Sequence, residues 1–167
     1  MDTNTIILLI AALAIVGGAS AFIVYINSKK IEQTSNPGGA SAAIQLQAYE
    51  RLILLTDRIA LPNLISRVSM AGISAKEMQH MLIQNIKEEF NYNITQQIYV
   101  SADAWTAVKN LKEQNTLIIN QFANVLPPNA TGLDLNKMLL EYLMNDKKGS
   151  LHEVVSEVLS YEAKKVM

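Results

Sequence analysis

Two histidines, His80 and His152, are the side chains best suited to holding a metal or moving a proton near neutral pH. They lie far apart along the chain. Neither has an acidic or histidine side chain three or four residues on: Gln84 follows His80 at i+4 and Ser156 follows His152. A surface or capping role accounts for both. Glu88 and Glu89 are adjacent, and adjacent residues of a helix point to different faces, so they do not form a proton-sharing pair. Glu50, Arg51, Asp57, Arg58 and Arg67 are the one charged cluster with chemistry suited to an enzyme, and ion pairs that anchor the first helix of the domain explain it more simply. Cysteine is absent, which excludes disulfides, thiolate metal sites and a cysteine nucleophile. No glycine-rich phosphate loop, serine nucleophile elbow or zinc-binding histidine pair is present. Basic residues are scattered and the net charge is −1, so nothing favours nucleic acid. The expectation is a protein with no catalysis, no cofactor, no metal and no small-molecule substrate.

One polar concentration is less routine. Asn91, Tyr92, Asn93, Gln96, Gln97, Tyr99 and Ser101 surround a break in the helical pattern just before Trp105. Uncharged amides and tyrosines beside a tryptophan are enriched at recognition surfaces. The plainer reading is a helix break whose orphan backbone groups are satisfied by nearby amides. Asn91, Tyr92, Gln96, Gln97, Tyr99 and Trp105 are the candidate partner surface.

Helices must position these groups. From Ile44 on, periodicity predicts five or six. The first, about 44–60, carries Leu46, Tyr49, Leu52, Ile53, Leu55 and Ile59 inward. Pro62 favours a break near Ala60-Leu61 and a short second helix to about Ser69, and Ala71-Gly72 gives a loop. Ser74 and Glu77 have capping-box spacing, and Met78, Met81, Leu82, Ile86 and Phe90 form a stripe on the helix that runs to about Asn93. Ile98-Tyr99-Val100 reads as extended or as a tight connection. Ser101 then caps a helix of about 102–126, with Trp105, Val108, Leu111, Ile118, Ile119 and Phe122 on one face and Asn115 among them. Pro127-Pro128-Asn129 ends it. A helix of about 133–146 follows, with Leu135, Met138, Leu139, Tyr142 and Leu143 inward. A second capping box, Ser150 to Glu153, opens a last helix of about 151–165 that buries Leu151, Val154, Val155, Val158 and Leu159. The fold class is all-α, with no persistent heptad and no internal repeat.

The N-terminus has a different solvent. From Thr5 to Ile26 no residue is charged, and IILLIAALAIVGGASAFIVYI is almost wholly apolar. As a helix it would be about 33 Å long, against a hydrocarbon core of roughly 30 Å. Its Ile, Leu, Val and Phe side chains favour insertion by roughly 6 kcal/mol. Ala19-Ser20-Ala21 resembles a signal-peptide cleavage site, yet no Lys or Arg precedes the run, and Phe22 to Ile26 continue it beyond the cut. An uncleaved transmembrane helix is the expectation, with residues 5–26 in the bilayer. Lys29 and Lys30 just past the span place the N-terminus outside and the domain in the cytoplasm of a bacterial cell, at the inner membrane. Residues 33–43, QTSNPGGASAA, read as a flexible linker with a reach of about 17–20 Å. The organisation is therefore tail and span over 1–32, linker over 33–43 and helical domain over 44–167.

The segments LQAYERLILLTDRIALPNLISRV (46–68) and EEFNYNITQQIYVSADAWTAVKN (88–110) carry a resemblance. With them, the chain resembles an uncharacterised family of small Bacteroidetes single-span membrane proteins that have a helical body. The family pattern has a serine before the proline that follows the first helix, and Leu61 stands there in this chain. The resemblance implies an anchor and a helical fold, and it brings no activity. A non-catalytic interaction or scaffold module, binding a protein partner or a second copy of itself, is the leading expectation. An accessory subunit of a membrane transport or envelope complex is the alternative.

Overall fold

The computed structural model describes residues 42–145 and 151–167. The expected span at 5–26, most of the expected linker, and Gly149 and Ser150 with their capping box lie outside the described residues. Among the described residues there are six α-helices and one 3-10 helix, with no strand. They are α1 (Ala42–Ile59), α2 (Leu61–Val68), α3 (Ala75–Tyr92), the 3-10 helix (Ile94–Ile98), α4 (Ala102–Val125), α5 (Gly132–Asn145) and α6 (Leu151–Val166). None of them is long and apolar enough to cross a membrane. α1 starts at Ala42, inside the stretch expected to be linker. The alanines there are good helix formers and extend the helix backwards.

The core is one cluster of apolar side chains. Leu52, Leu55 and Ile59 of α1 meet Met78, Leu82 and Ile86 of α3, Leu111 and Ile119 of α4, Leu135 and Leu139 of α5, and Leu159 of α6. Fully burying each such side chain stabilises the fold by about 1.5–3 kcal/mol before entropic costs. The stripe on α3 is buried as its spacing predicts, apart from Met81, which is half-buried.

The break after α1 explains a polar residue in an apolar face. Ala60 is extended (φ −55°, ψ 126°), so the helix stops, and Pro62 sits in the first turn of α2 with no side-chain cap at Ala60. The carbonyl of Ile59 is left without a helical donor. Asn115 of α4 supplies one: its Nδ2 donates to Ile59 O at 2.7 Å in the buried interior. Thr56, also buried, returns its hydroxyl to Leu52 O at 2.9 Å.

Two capping boxes lie side by side. Ser74 accepts from the Glu77 backbone N–H, and Glu77 accepts from that of Ser74. Thr131 and Asp134 repeat the arrangement at the start of α5, with aspartate in the place of glutamate. Ser74 and Thr131 form an isolated antiparallel bridge, with Ala75 N–H donating to Ala130 O at 2.9 Å and Gly132 N–H to Ile73 O at 2.8 Å. A β-carbon on Gly132 would stand 3.1 Å from Ile73 Cγ1 and 3.1 Å from Met78 Cβ, so glycine permits this close approach. Gly72, at φ +82°, makes the left-handed turn that leads into it.

α6 packs along α1 through Val155, Leu159 and Ala163, one row at i, i+4, i+8. Leu151, Val154 and Val158 were expected inward and are exposed instead. α6 rests on α1 and also touches α4, and only this row points into the bundle, so the side chains a third of a turn away stay outside it. A polar clip holds the far end. Tyr49 OH donates to Glu162 Oε2 at 2.8 Å, Ser101 Oγ donates to the same oxygen at 2.5 Å, and Ser101 N–H donates to Tyr49 OH at 3.2 Å. Burial first, and then the Glu162 carboxylate, push the Tyr49 phenol above its ordinary value of 10.0. A raised folded-state value means the stabilisation is present in full below pH 10 and is lost as pH climbs through the folded value. In urea titrations Tyr49→Phe should therefore be less stable than the parent by about 1 kcal/mol at neutral pH, the worth of a hydrogen bond. That gap should shrink above pH 10, and a gap constant from pH 7 to 11 would contradict the clip.

Candidate interaction surface

Two stripes face each other across an open groove of about 500 Å³ between α1 and α3. Arg51, Leu54, Leu55 and Arg58 follow the i, i+3, i+4, i+7 spacing of one α1 face, and Glu88, Glu89 and Tyr92 lie on the facing side of α3, ending at Asn93. The floor is Leu55, part of the core. The ion pairs stand on the wall. Arg58 reaches Glu89 Oε1 with Nη2 at 2.6 Å and with Nε at 2.7 Å, and Arg67 Nη2 lies 3.6 Å from the same oxygen. The Glu89 side chain is only 17% exposed, so this carboxylate is held between two guanidinium groups away from bulk water. Such a pair fixes the α1–α3 spacing better than a surface ion pair does, since exposed pairs contribute only about 0–1 kcal/mol.

Arg51 is arranged differently. Its guanidinium carbon sits 5.7 Å from the centre of the Tyr92 ring, and it makes no ion pair among the described residues. Tyr92 is 73% exposed and Leu54 is 57% exposed. The groove thus presents a stacked guanidinium, a phenol and a leucine together, beside the Arg58–Glu89 pair and the Glu88 carboxylate, which accepts from Gln84 Nε2 at 2.9 Å. A contact over an exposed ring is worth about 0.5–1 kcal/mol, enough to bias the rotamer of Arg51.

The structure divides the residues singled out from the sequence. Asn91, Tyr92 and Gln97 are exposed, and Tyr99 is half-buried. Gln96 is buried, with its Nε2 3.4 Å from Thr95 Oγ1. Asn93 is buried as well and donates Nδ2 to Glu89 O at 2.9 Å, closing α3. Trp105 is 9% exposed and stacks on Phe90 with ring centres 5.1 Å apart. It is a core residue, because the break folds back as a tight 3-10 turn that lays α4 against α3. Of these, Tyr92 and the buried Asn93 line the groove, and Tyr92 is the exposed one. Arg51 and Leu54 were missed as surface residues. The available signal was a leucine off the apolar stripe of α1, with an arginine one turn away on each side.

Of the enzyme-like cluster, Arg51, Arg58 and Arg67 gather at this groove or its wall. Asp57 turns away and accepts from Asn63 Nδ2 at 2.8 Å. His80 is exposed on α3, and His152 is half-buried on α6. Among the described residues no three His, Asp or Glu side chains converge as a metal would require.

Fold and site together define a small all-α bundle with an open groove between α1 and α3. The model of a family described as a family of unknown function, DUF7935, matches residues 3–166, and the chain belongs to that family. This accords with the resemblance to an uncharacterised family. No curated protein and no solved structure matches the chain.

Proposed function

We propose that the chain is a non-catalytic interaction module, anchored through residues 5–26 at the inner membrane of a bacterium and working on the cytoplasmic side. Its partner surface is the α1–α3 groove. The observation that carries this reading is Arg51, stacked on exposed Tyr92 beside exposed Leu54 and without an acidic partner among the described residues. Arginine and tyrosine are the residues on which interface energy concentrates, and a leucine next to them adds apolar contact. The matching partner is a protein segment that offers a carboxylate beside an apolar side chain.

The absence of native cysteine makes the test direct. Leu54→Cys in the full chain, treated with a thiol-reactive crosslinker in intact membranes, should give one recurrent adduct, whereas Lys137→Cys on α5 should not. Adding Arg51→Glu should reduce the adduct about tenfold or more, as loss of an interface hot spot does. Equal adducts from both cysteines, or none from Leu54→Cys, would overturn the proposal. Release of the protein from membranes by alkaline carbonate would overturn the anchor.

A further inference from the structure

A second concavity lies elsewhere on the bundle, with a volume of about 730 Å³. Leu61, Leu111, Ile118, Leu143 and Val154 are among its apolar lining, drawn from α2, α4, α5 and α6. Its size falls inside the roughly 300–1,000 Å³ range of small-molecule sites, which are mostly apolar with a few placed polar groups. Exposed Gln114 and Glu153 and half-buried His152 stand in its lining, and the buried amide among them is Asn115, only 5% exposed.

The orientation of that amide is fixed by chemistry. The Ile59 carbonyl can only accept, so the Asn115 nitrogen must face it, as the 2.7 Å contact shows. Oδ1 is thereby turned away from Ile59 and accepts no hydrogen bond among the described residues. It is also not among the sealed-off side-chain atoms of the interior, which leaves it open to the cavity that Asn115 lines. A largely apolar site with a buried acceptor left unbonded suits a ligand that is apolar and carries a donor.

We infer that this cavity binds a small apolar molecule bearing a hydroxyl or N–H group, with the donor bound to Asn115 Oδ1 and the hydrocarbon against Leu111, Ile118 and Leu143. This site is separate from the α1–α3 groove and does not rest on the partner reading.

The test uses the full chain in lipid nanodiscs and two photoreactive probes, 4-(hydroxymethyl)benzophenone and its methyl ether, which lacks the donor. Adducts are mapped by peptide mass spectrometry. The alcohol should label cavity-lining peptides of α5 and α6 saturably. The ether should need about 3- to 10-fold higher concentration, the worth of one neutral hydrogen bond. Asn115→Leu should abolish that preference. Because this change also strips a donor from Ile59, a second variant is needed. Val154→Trp, at an exposed position on the rim, should leave the fold intact and block labelling by filling the space. Labelling that does not saturate, that treats alcohol and ether alike in the parent, or that survives Val154→Trp would overturn the inference. So would no adduct at all, which would mean that Asn115 faces water only.

Discussion

Trp105→Ala is expected to destabilise the folded domain by about 3–5 kcal/mol, the range for removing a buried large aromatic side chain. The ring is in the core, and its loss would leave a cavity against Phe90 and withdraw their mutual contact, itself worth about 0.5–1.5 kcal/mol. Phe90 also carries Lys112 Nζ 4.9 Å above its ring, so this stack reaches from the end of α3 into the middle of α4. Tyr92→Ala, a few residues away and exposed, should stay within about 0.5 kcal/mol of the parent. Urea titrations followed by far-ultraviolet circular dichroism would separate the two. The contrast matters for function, because loss of partner crosslinking in Trp105→Ala would follow from unfolding, whereas loss in Tyr92→Ala would report on the groove. Near-equal stabilities of the two variants would mean that Trp105 is not packed as described.

The second large effect is expected at Leu159. This side chain is fully buried in the row by which α6 lies on α1, and Leu159→Ala should cost about 2–5 kcal/mol. Val154→Ala on the same helix, half-exposed and off that row, should cost less than about 1 kcal/mol. The pair tests whether the last helix is an integral wall of the bundle. A Leu159→Ala protein as stable as its parent would show that α6 is dispensable, and the clip of Tyr49, Ser101 and Glu162 would lose its purpose.

Most helix positions were legible in the sequence because stop and start signals are local. Ser74 and Glu77 reveal a cap, Pro62 a break and Pro127-Pro128 an end, each through bonds made within a few residues. Inward faces were legible where a helix is surrounded. On α3 and α4 nearly the whole apolar stripe is buried, so periodicity and burial coincide. On α6 they part. The row used depends on where α1 and α4 sit, which is a long-range fact that Leu151, Val154 and Val158 cannot encode. Asn115 shows the same limit. Its place in an apolar face is unaccountable until the carbonyl of Ile59, 56 residues earlier, is seen to need a donor. The groove was half legible. Tyr92 stood out by type, but Arg51 and Leu54 acquire meaning only when α3 is brought alongside α1. Trp105 misled for a related reason, since tryptophan serves interfaces and cores alike and only packing tells them apart.

The bridge between Ser74 and Thr131 joins two helix beginnings that would otherwise fray separately. Ala75 and Gly132 each donate across the junction, so neither first turn can peel away without severing a bond of the other. Glu77 and Asp134 both have carboxyls held below their ordinary values by the hydroxyl and backbone donors of their boxes. Their stabilisation is present above the ordinary carboxylate range and fades as pH falls through the lowered values. Protonating one acid therefore loosens the strap on which its neighbour depends. The first turns of α3 and α5 are therefore expected to loosen in concert as pH falls, which amide hydrogen exchange at Ala75 and Gly132 would read.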